Sequence, residues 1–386
     1  MKHSDFIHLP LLKNEYNSLN VPLYTSSVFL FSNIEELIEF VSKKEKSRFE
    51  YSRYGNPTNK NLEIAIANLE KAEDATLFSS GMSACTIPFL AILEKGDHIV
   101  ITSDMYLKTF DFLRKILVKF GIECSVVFPN AEQIIQAIRP QTKVVFTEFP
   151  TNPFYHIVDL GEISRYLKEK SILFFVDSTL ASPYNCNPIL YGADLVIHSL
   201  TKYFSGNNDL IGGVVAGKKS IIEKIREFNG YLGAILPAEI SFNILRSIKT
   251  MPLRVSHQNQ KTLEIAEFLE KHPKIKKVYY PFLESSPYYE LSKKYLKGGG
   301  CLLTIELYGN LETLKTFCNS LKIFKIGPSF ASAESLIDPP YIMSHWDVPE
   351  EEKIKMNIKE TTLRISVGFE DLDDLIKDLS NALEKI

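Results

Sequence analysis

Short apolar runs alternate along the chain with stretches of helical spacing. The runs predict buried strands at Ala75–Phe78, His98–Ile101, Cys124–Val127, Lys143–Thr147, Ile172–Val176 and Leu195–Ile197. Leucines and isoleucines three or four residues apart predict the intervening helices Asn61–Lys71, Thr109–Phe120 and Glu132–Ile138, and a further helix runs to Ala91. Repeated strand-helix units of this kind predict an α/β fold with a large, mostly parallel sheet covered on both faces.

The pattern changes after residue 211. A glycine-bounded run, Gly212–Gly217, predicts a strand that reverses direction at the edge of the sheet, and a helix over Ser220–Asn229 follows. A long helix over Leu253–Lys271, stopped by His272 and Pro273, is the predicted connector to a second unit. That unit has predicted strands at Lys277–Tyr279, Cys301–Leu307 and Leu363–Val367 and predicted helices near 311–320 and 371–385.

The first 57 residues lack this alternation. Three prolines interrupt them, and one amphipathic helix is predicted from Ile34 to Lys44. We therefore expect an N-terminal arm over 1–57, an α/β domain over 58–252 and a smaller C-terminal α/β domain over 253–386.

Composition limits the classes of protein to consider. The chain has 386 residues, of which 45% are hydrophobic, so it is long enough to bury a large core. A net charge of −3 argues against a nucleic-acid surface. Five cysteines without a CxxC pair favour neither a disulfide framework nor a zinc site, and the histidines show no metal-ligand spacing. No apolar stretch approaches the roughly 18 residues of a membrane span, so we expect a cytoplasmic protein without membrane contact.

A lysine and an aspartate follow two of the predicted strands. Lys202 lies shortly after Leu195–Ile197, and Asp177 ends the run Ile172–Val176. Ligands of open α/β sheets gather outside the carboxyl ends of the strands. Pyridoxal phosphate needs a lysine for its Schiff base and an acid for its pyridinium nitrogen, and this pair suits it. On these stretches alone, a solvated loop lysine and a helix-capping aspartate explain the pattern equally well.

Other strand ends add candidate contacts. Ser79–Ala84 joins a strand to a helix start, where free N–H groups and the helix dipole favour a phosphate and Gly81 permits close backbone approach. Such turns are also common without any ligand. Tyr106 follows the His98–Ile101 strand and suits stacking on a flat cofactor or simple packing at a rim. Asn152 follows the next strand as a side-chain donor. No G-x-G-x-x-G lies between an early strand and helix, which disfavours a nicotinamide-dependent dehydrogenase.

Five sequence blocks in a fixed order carry a resemblance to a known family. They are Tyr51–Thr58 (YSRYGNPT), Ser79–Met82 (SSGM), Asp177, Ser199–Lys202 (SLTK) and Leu363–Asp371 (LRISVGFED). Together they resemble the Cys/Met-metabolism family of pyridoxal-phosphate enzymes, which includes cystathionine γ-synthase, cystathionine γ- and β-lyases and methionine γ-lyase. The resemblance covers residues 20 to 380.

The resemblance implies a fold type I, aspartate aminotransferase-like subunit in a homotetramer of tight dimers. It implies that Lys202 holds the cofactor as an internal aldimine and moves protons, and that Asp177 keeps the ring nitrogen protonated. Tyr106 would stack on the ring and pass a proton to a leaving group, and Arg364 would bind the substrate α-carboxylate. The remaining implied contacts are the phosphate ligands Gly81, Met82, Ser199 and Thr201, the neighbouring subunit's phosphate ligands Tyr51 and Arg53, and the orienting residues Asn152 and Ser329.

Departures from the family pattern concern the substrate. Lys108 stands where methionine γ-lyases have a cysteine, which weakens that assignment. Pro328 replaces a glutamate that many family members use to attract an amino-bearing distal group. Phe149, where serine is commoner, is typical of a divergent γ-synthase-like branch. Lys108 is either a solvated rim lysine or a partner for an anionic acyl group.

We therefore predict γ-replacement on an activated homoserine, in which an O-acyl-homoserine reacts with cysteine or another thiol as in a cystathionine γ-synthase. Two alternatives remain at this point. One is a lyase that performs γ- or β-elimination on cystathionine or a related sulfur amino acid. The other is a relative that binds pyridoxal phosphate without turnover. Retention of Lys202, Asp177, Tyr106 and Arg364 together argues against the second.

Overall fold

The structure, a computed structural model, describes residues 1–43 and 48–386. Its larger sheet has seven strands in the order β1-β7-β6-β5-β4-β2-β3. They are β1 (Asp74–Phe78), β2 (His98–Thr102), β3 (Glu123–Val127), β4 (Thr142–Glu148), β5 (Leu173–Asp177), β6 (Leu195–Ser199) and β7 (Gly213–Gly217). The apolar runs of the sequence therefore form one sheet, as predicted.

Strand β7 corrects one prediction. It does reverse direction, because it pairs antiparallel with both β6 and β1. It does not lie at the edge, since β1 pairs along its outer side from Asp74↔Gly217 to Phe78↔Gly213. Both edges of β7 are thus paired with neighbouring strands, and all five of its residues are buried.

Helices cover both faces of this sheet. Up to β7 the α-helices are α1 (Ser4–Ile7), α2 (Ile34–Lys43), α3 (Pro57–Glu70), α4 (Gly81–Ile92), α5 (Leu107–Asp111), α6 (Ala131–Gln136), α7 (Leu160–Glu169) and α8 (Ser182–Asn185). The predicted helix Thr109–Phe120 begins earlier, at Leu107, and continues beyond α5 as a π-helical turn (Phe112–Ile116) and a 3₁₀ turn (Leu117–Phe120). The predicted end of the arm helix at Lys44 lies outside the described residues.

The second sheet has five strands in the order β10-β11-β12-β9-β8. The remaining elements are α9 (Lys219–Leu232), α10 (Ala238–Ile248), α11 (Met251–Glu270), β8 (Ile275–Tyr279), α12 (Tyr289–Tyr295), β9 (Leu302–Leu307), α13 (Leu311–Ser320), β10 (Lys325–Ile326), β11 (Leu336–Asp338), α14 (Pro340–Met343), α15 (Glu350–Lys355), β12 (Thr362–Ser366) and α16 (Leu372–Glu384). Helix α11 joins the part of the chain that holds the first sheet to the part that holds the second. The division at 57 and 252 stays a prediction.

One apolar cluster joins the two sheets. It contains Leu77 and Val214 of the first sheet, Val255 of α11, and Leu302 and Phe330 from the second unit. Burial of such side chains stabilises the fold by about 25 cal/mol per Å² of apolar surface removed from water. This shared cluster holds the carboxyl ends of β4, β5 and β6 against the second sheet, and the candidate site lies there.

Candidate active site

The carboxyl ends of the parallel strands surround a cavity of about 260 Å³. Asp177 ends β5, and Lys202 follows β6, which pairs directly with β5. Most of the predicted site residues line this cavity, namely Gly81, Met82, Tyr106, Asn152, Asp177, Ser199, Thr201, Lys202 and Arg364. These residues lie up to 283 positions apart in the sequence. The strand order of the first sheet and the packing of the second sheet against it bring them together.

The Lys202 amine is held at the boundary between the two sheets. Its Nζ donates a hydrogen bond to Ser329 Oγ at 3.0 Å and lies 4.9 Å from the centre of the Phe330 ring. Removal from water, with a smaller contribution from the nearby Arg364 cation, lowers the pKa of Lys202 to about 8. A Schiff-base lysine needs this property, because only the neutral amine attacks an aldehyde.

The lowered pKa of Lys202 predicts how the cofactor-free protein captures pyridoxal phosphate. The neutral fraction of an amine with a pKa near 8 rises about tenfold between pH 7 and pH 9 and then levels off. We therefore expect the rate at which the visible band appears to reach a plateau above pH 9. N-acetyl-lysine, measured in parallel, should continue to gain rate up to about pH 10. The same continued rise in the protein would contradict the assignment.

Asp177 is buried and already accepts two hydrogen bonds. The Thr179 N–H donates to its Oδ1 at 2.9 Å, and the Cys85 thiol donates to its Oδ2 at 3.4 Å. Burial and the neighbouring Asp177 charge raise the pKa of Cys85 far above the usual range of a thiol, so its sulfur keeps its proton and remains a donor. These contacts orient the carboxylate at the cavity wall, where it could serve as the acid for a pyridinium nitrogen.

The N-terminus of helix α4 lies at one end of the cavity. Ser80 caps the helix, and its Oγ accepts the Ser83 N–H at 3.1 Å. The N–H groups of Gly81 and Met82 lie in the first turn and have no carbonyl within the helix to bond, so they suit an anion. A Cβ at Gly81 would lie 2.8 Å from Ser199 Cβ, which explains the need for glycine here.

Arg364 projects from β12 toward the same cavity. Its Nη1 donates to Asn152 Oδ1 at 3.2 Å, and its Nη2 forms an ion pair with Asp338 of β11, its register partner. Burial raises the pKa of Asp338, and the Arg364 cation opposes that rise. A guanidinium fixed on two sides suits the binding of a planar carboxylate.

Tyr106 lies where the first cavity meets a second one. Its side chain is 47% exposed, and burial of the remainder raises the pKa of its phenol. The second cavity measures about 810 Å³ and shares Tyr106, Asn152, Pro328 and Arg364 with the first. The phenol therefore keeps its proton and can meet ligands in both cavities.

Three of the predicted residues are absent from the lining of the cavity. Ser329 contacts it through its hydrogen bond with Lys202 Nζ, and the other two lie farther away in the structure. Tyr51 and Arg53 are absent from the cavity wall, and Arg53 instead donates to Gly230 O at 2.9 Å and to Tyr54 OH at 3.1 Å. Tyr51 is 43% exposed. Their predicted contact is with a neighbouring subunit, so this placement neither adds them to the site of their own chain nor tests the prediction.

Several residues that line or support the cavity were not predicted from the sequence, among them Cys85, Glu148 and Asp338. Cys85 lies in helix α4, shortly after Gly81, and the mostly apolar sequence of that helix gives no sign of a polar role. Glu148 ends β4 and bonds to backbone groups, which leave no trace in the sequence. Asp338 is recognisable only once β11 is paired with β12.

The donor set of the first cavity fits pyridoxal phosphate. It combines an amine with a lowered pKa, a buried carboxylate and a helix start that accepts an anion. Within residues 1–43 and 48–386, no cluster of histidine, cysteine and carboxylate side chains could hold a metal ion. No helix in those ranges is long and apolar enough to cross a membrane.

Comparison with known proteins agrees with this chemistry. The family model for Cys/Met metabolism PLP-dependent enzymes matches residues 4–384. The chloroplastic cystathionine gamma-synthase 1 of Arabidopsis thaliana is 42% identical over 372 residues, which cover 96% of this chain and 66% of the plant protein. The L-methionine gamma-lyase of Fusobacterium nucleatum subsp. polymorphum is 38% identical over 98% of this chain and 97% of its own length.

A solved structure agrees as well. The crystal structure of cystathionine gamma-lyase from Lactobacillus plantarum, complexed with L-serine, superimposes with a TM-score of 0.93 at 32% identity. The match covers 100% of this chain and 99% of that one. The predicted fold class and cofactor are thereby confirmed. This chain belongs to the Cys/Met-metabolism family of pyridoxal-phosphate-dependent enzymes.

Proposed function

We propose that the chain catalyses γ-replacement on an activated homoserine, joining an O-acyl-homoserine to cysteine or another thiol. The observation that carries the proposal is the cavity of about 810 Å³ beside the cofactor cavity. Elimination needs only water as the second reactant, whereas replacement needs room for a thiol-bearing molecule next to the reacting carbon. Tyr106 and Arg364 line both spaces, so a second substrate there would lie near the first.

The residues that line the first cavity have different roles in the proposed reaction. Pyridoxal phosphate, held by Lys202, Asp177 and the start of α4, would supply the electron sink that makes the substrate's Cα proton acidic. Arg364, braced by Asn152, binds the α-carboxylate. With the substrate amine in place of Lys202, the freed Nζ would move protons one at a time, first from Cα and then from Cβ, and would return them after the new bond forms. The Cγ–O bond would break, so that the acyl group departs together with that oxygen as a carboxylate. The thiol would lose its proton to solvent as its sulfur forms a bond to Cγ.

Tyr106 is placed to donate a hydrogen bond to the departing oxygen, which leaves as part of a carboxylate and needs no proton. Its raised pKa keeps the phenol proton in place at neutral pH, so the group is a donor. It lies on the wall that the two cavities share. Its oxygen can also accept a hydrogen bond from the incoming thiol.

Elimination on cystathionine or a related sulfur amino acid is the second candidate. Relatives that carry lyase names cover this chain almost completely, and the L-methionine gamma-lyase is one of them. Lyase chemistry needs the same Lys202, Asp177 and Arg364. A third possibility, a protein that binds the cofactor without turnover, would show no exchange of the α-proton with any amino acid.

The experiment that separates these candidates is a substrate panel. We expect purified protein to form a thioether from O-acyl-homoserine and cysteine faster than it releases 2-oxo acid from O-acyl-homoserine alone or from cystathionine. Amino-acid analysis of the thioether and a coupled assay of the 2-oxo acid measure the two rates. Faster 2-oxo acid release under every condition would replace the proposal with a lyase, and α-proton exchange without either product would leave the assignment of substrate wrong.

Lys108 provides a test of the acyl group. Its exposed side chain lines the larger cavity, and its amine forms no ion pair within the described residues. We propose that it attracts an acyl group that carries a second negative charge. Lys108→Met should raise KM for an O-succinyl substrate about tenfold, a loss of about 1.4 kcal/mol, and leave KM for the O-acetyl substrate unchanged.

A neighbouring lysine serves as the matched control for Lys108. Lys115 lines the same cavity, but its amine already pairs with Asp111 at 2.7 Å. Lys115→Met should therefore leave both KM values unchanged. Equal KM values for the O-succinyl substrate in wild type and Lys108→Met would show that Lys108 is a solvated rim lysine.

We also propose an assembly and a compartment. Tyr51 and Arg53 would complete the phosphate site of a neighbouring subunit in a tight dimer, and two dimers would form a homotetramer. Because the five cysteines are all free, a reducing cytoplasm suits the protein. Sedimentation equilibrium measures the number of subunits in the assembly. Mixing the Arg53→Ala and Lys202→Ala variants tests whether a hybrid dimer regains one complete site.

A further inference from the structure

Glu148 lies between two residues of the candidate site because of the strand order. β4 runs between β2 and β5, and Glu148 is its last residue. On one side its register partner is Asp177, the last residue of β5. On the other side the loop after β2 carries Tyr106. The topology therefore brings one carboxylate next to both the ring-nitrogen acid and the predicted stacking phenol.

The carboxylate of Glu148 bonds to the backbone of two separate segments. Its Oε1 accepts the Tyr106 N–H at 2.7 Å, and its Oε2 accepts the Asn152 N–H at 3.3 Å. Tyr106 precedes α5, and Asn152 lies in the turn after β4. Each oxygen thus fixes the main chain of one residue whose side chain faces the cofactor cavity.

Loss of the two hydrogen bonds to Glu148 would cost free energy, because the side chain is buried. Glu148 is 7% exposed and lines the cofactor cavity. Burial, with a further contribution from the Asp177 charge, raises its pKa well above the usual range of a carboxyl, while the two N–H donors act in the opposite direction. A buried N–H left without an acceptor costs about 1 to 3 kcal/mol. Either segment would therefore shift if the carboxylate were replaced.

We propose that Glu148 is a positioning residue that fixes Tyr106 and Asn152 at a set distance from Asp177, so that the cofactor ring meets its acid and its stacking phenol together. The inference rests on the proposed roles of Tyr106 and Asn152 and not on the choice between replacement and elimination. It assigns Glu148 no contact with the substrate. Its effect passes through the two backbone N–H groups.

The test uses Glu148→Gln, which keeps the shape of the side chain but turns an NH₂ group toward one of the two N–H donors. We expect kcat/KM to fall about tenfold or more, with most of the loss in kcat, as expected when a group acting in the transition state is displaced. The visible circular dichroism of the bound cofactor, recorded without amino acid, should change in sign or amplitude. In a Tyr106→Ala background, Glu148→Gln should add less than about half of its single-mutant effect.

Asp378→Asn is the matched control. Asp378 is also a buried carboxylate that accepts backbone N–H groups, those of Lys322, Ile323 and Phe324, but it lies on α16 in the second unit. Its replacement should lower Tm and leave the visible dichroism unchanged. If Glu148→Gln does not fold, the same measurements are made on Glu148→Asp, whose shorter side chain keeps the carboxyl group but reaches only one of the two N–H donors, and the same losses are expected.

The possible outcomes are distinct. Unchanged dichroism with kcat/KM within about twofold of wild type, or an effect fully additive with Tyr106→Ala, would overturn the role of Glu148. The dichroism is measured without substrate. A failure of the proposed γ-replacement therefore leaves this result intact, and a failure of the Glu148 inference leaves the substrate panel intact.

Discussion

Replacement of Lys202 by alanine should abolish turnover and remove the covalent link to the cofactor. The structure gives this partly buried lysine a pKa of about 8 and a hydrogen bond to Ser329. Loss of the group that we propose holds the cofactor and moves protons should lower kcat by at least about 10³-fold. Added pyridoxal phosphate should bind without the visible band that borohydride bleaches, as absorbance spectra before and after reduction would show.

Lys261→Ala is the matched control for Lys202→Ala. Lys261 is a buried lysine of α11 that donates to the Glu370 carbonyl. Its loss should lower the free energy of unfolding and leave both the visible band and kcat in place. Equal loss of the band in both variants would mean that Lys202→Ala acts through the fold, and a bleachable band that persists in Lys202→Ala would place the cofactor on another amine.

Asp177→Asn should give the second largest loss. The asparagine side chain can still accept the Thr179 N–H, so the local turn survives, but it offers no negative charge to a pyridinium nitrogen. A neutral ring nitrogen weakens the electron sink, and we expect kcat to fall by roughly 10² to 10³-fold. The rate of α-proton exchange, measured by NMR in D₂O, should fall by the same factor, because proton removal is the step that the sink assists.

Asp194→Asn controls for the removal of a buried acid from the same sheet. Asp194 precedes β6 at the opposite end of the sheet, where it accepts the Phe174 N–H at 2.8 Å and pairs with Lys218 at 2.5 Å. We expect lower stability with unchanged α-proton exchange. Equal exchange rates in Asp177→Asn and wild type would show that Asp177 is only a turn residue.

The parts of the fold that the sequence predicted are those with a strong local signal. Apolar runs bounded by turns located β2, β5 and β6, and the order of their ends placed Lys202 and Asp177 in one crevice before any contact was known. The position of β7 was wrong because pairing between β1 and β7 joins residues about 140 positions apart, and neither run carries a mark of its partner. The helix after Tyr106 was predicted, but its π-helical and 3₁₀ turns were not, since they depend on packing.

The residues of the candidate site also fall into two groups, those that the sequence indicates and those that it does not. Residues recognised by type and position, such as Gly81 and Arg364, line the cavity. Their supports were missed because each depends on a distant partner. Asp338 supports Arg364 only because strand pairing places the two residues side by side. Glu148 acts as a support only because Tyr106, 42 residues earlier in the chain, donates its backbone N–H to it. Side chains that act on backbone groups leave no spacing pattern for a sequence to show.

The most direct test of the role of Lys202 is to locate the bound cofactor. Purified protein would be reduced with borohydride, digested, and the peptide that carries the added pyridoxyl group identified by mass spectrometry. We expect the group on the ε-nitrogen of Lys202 and on no other lysine. Unmodified Lys202 in reduced, fully active protein, or the group on a different lysine, would contradict this expectation.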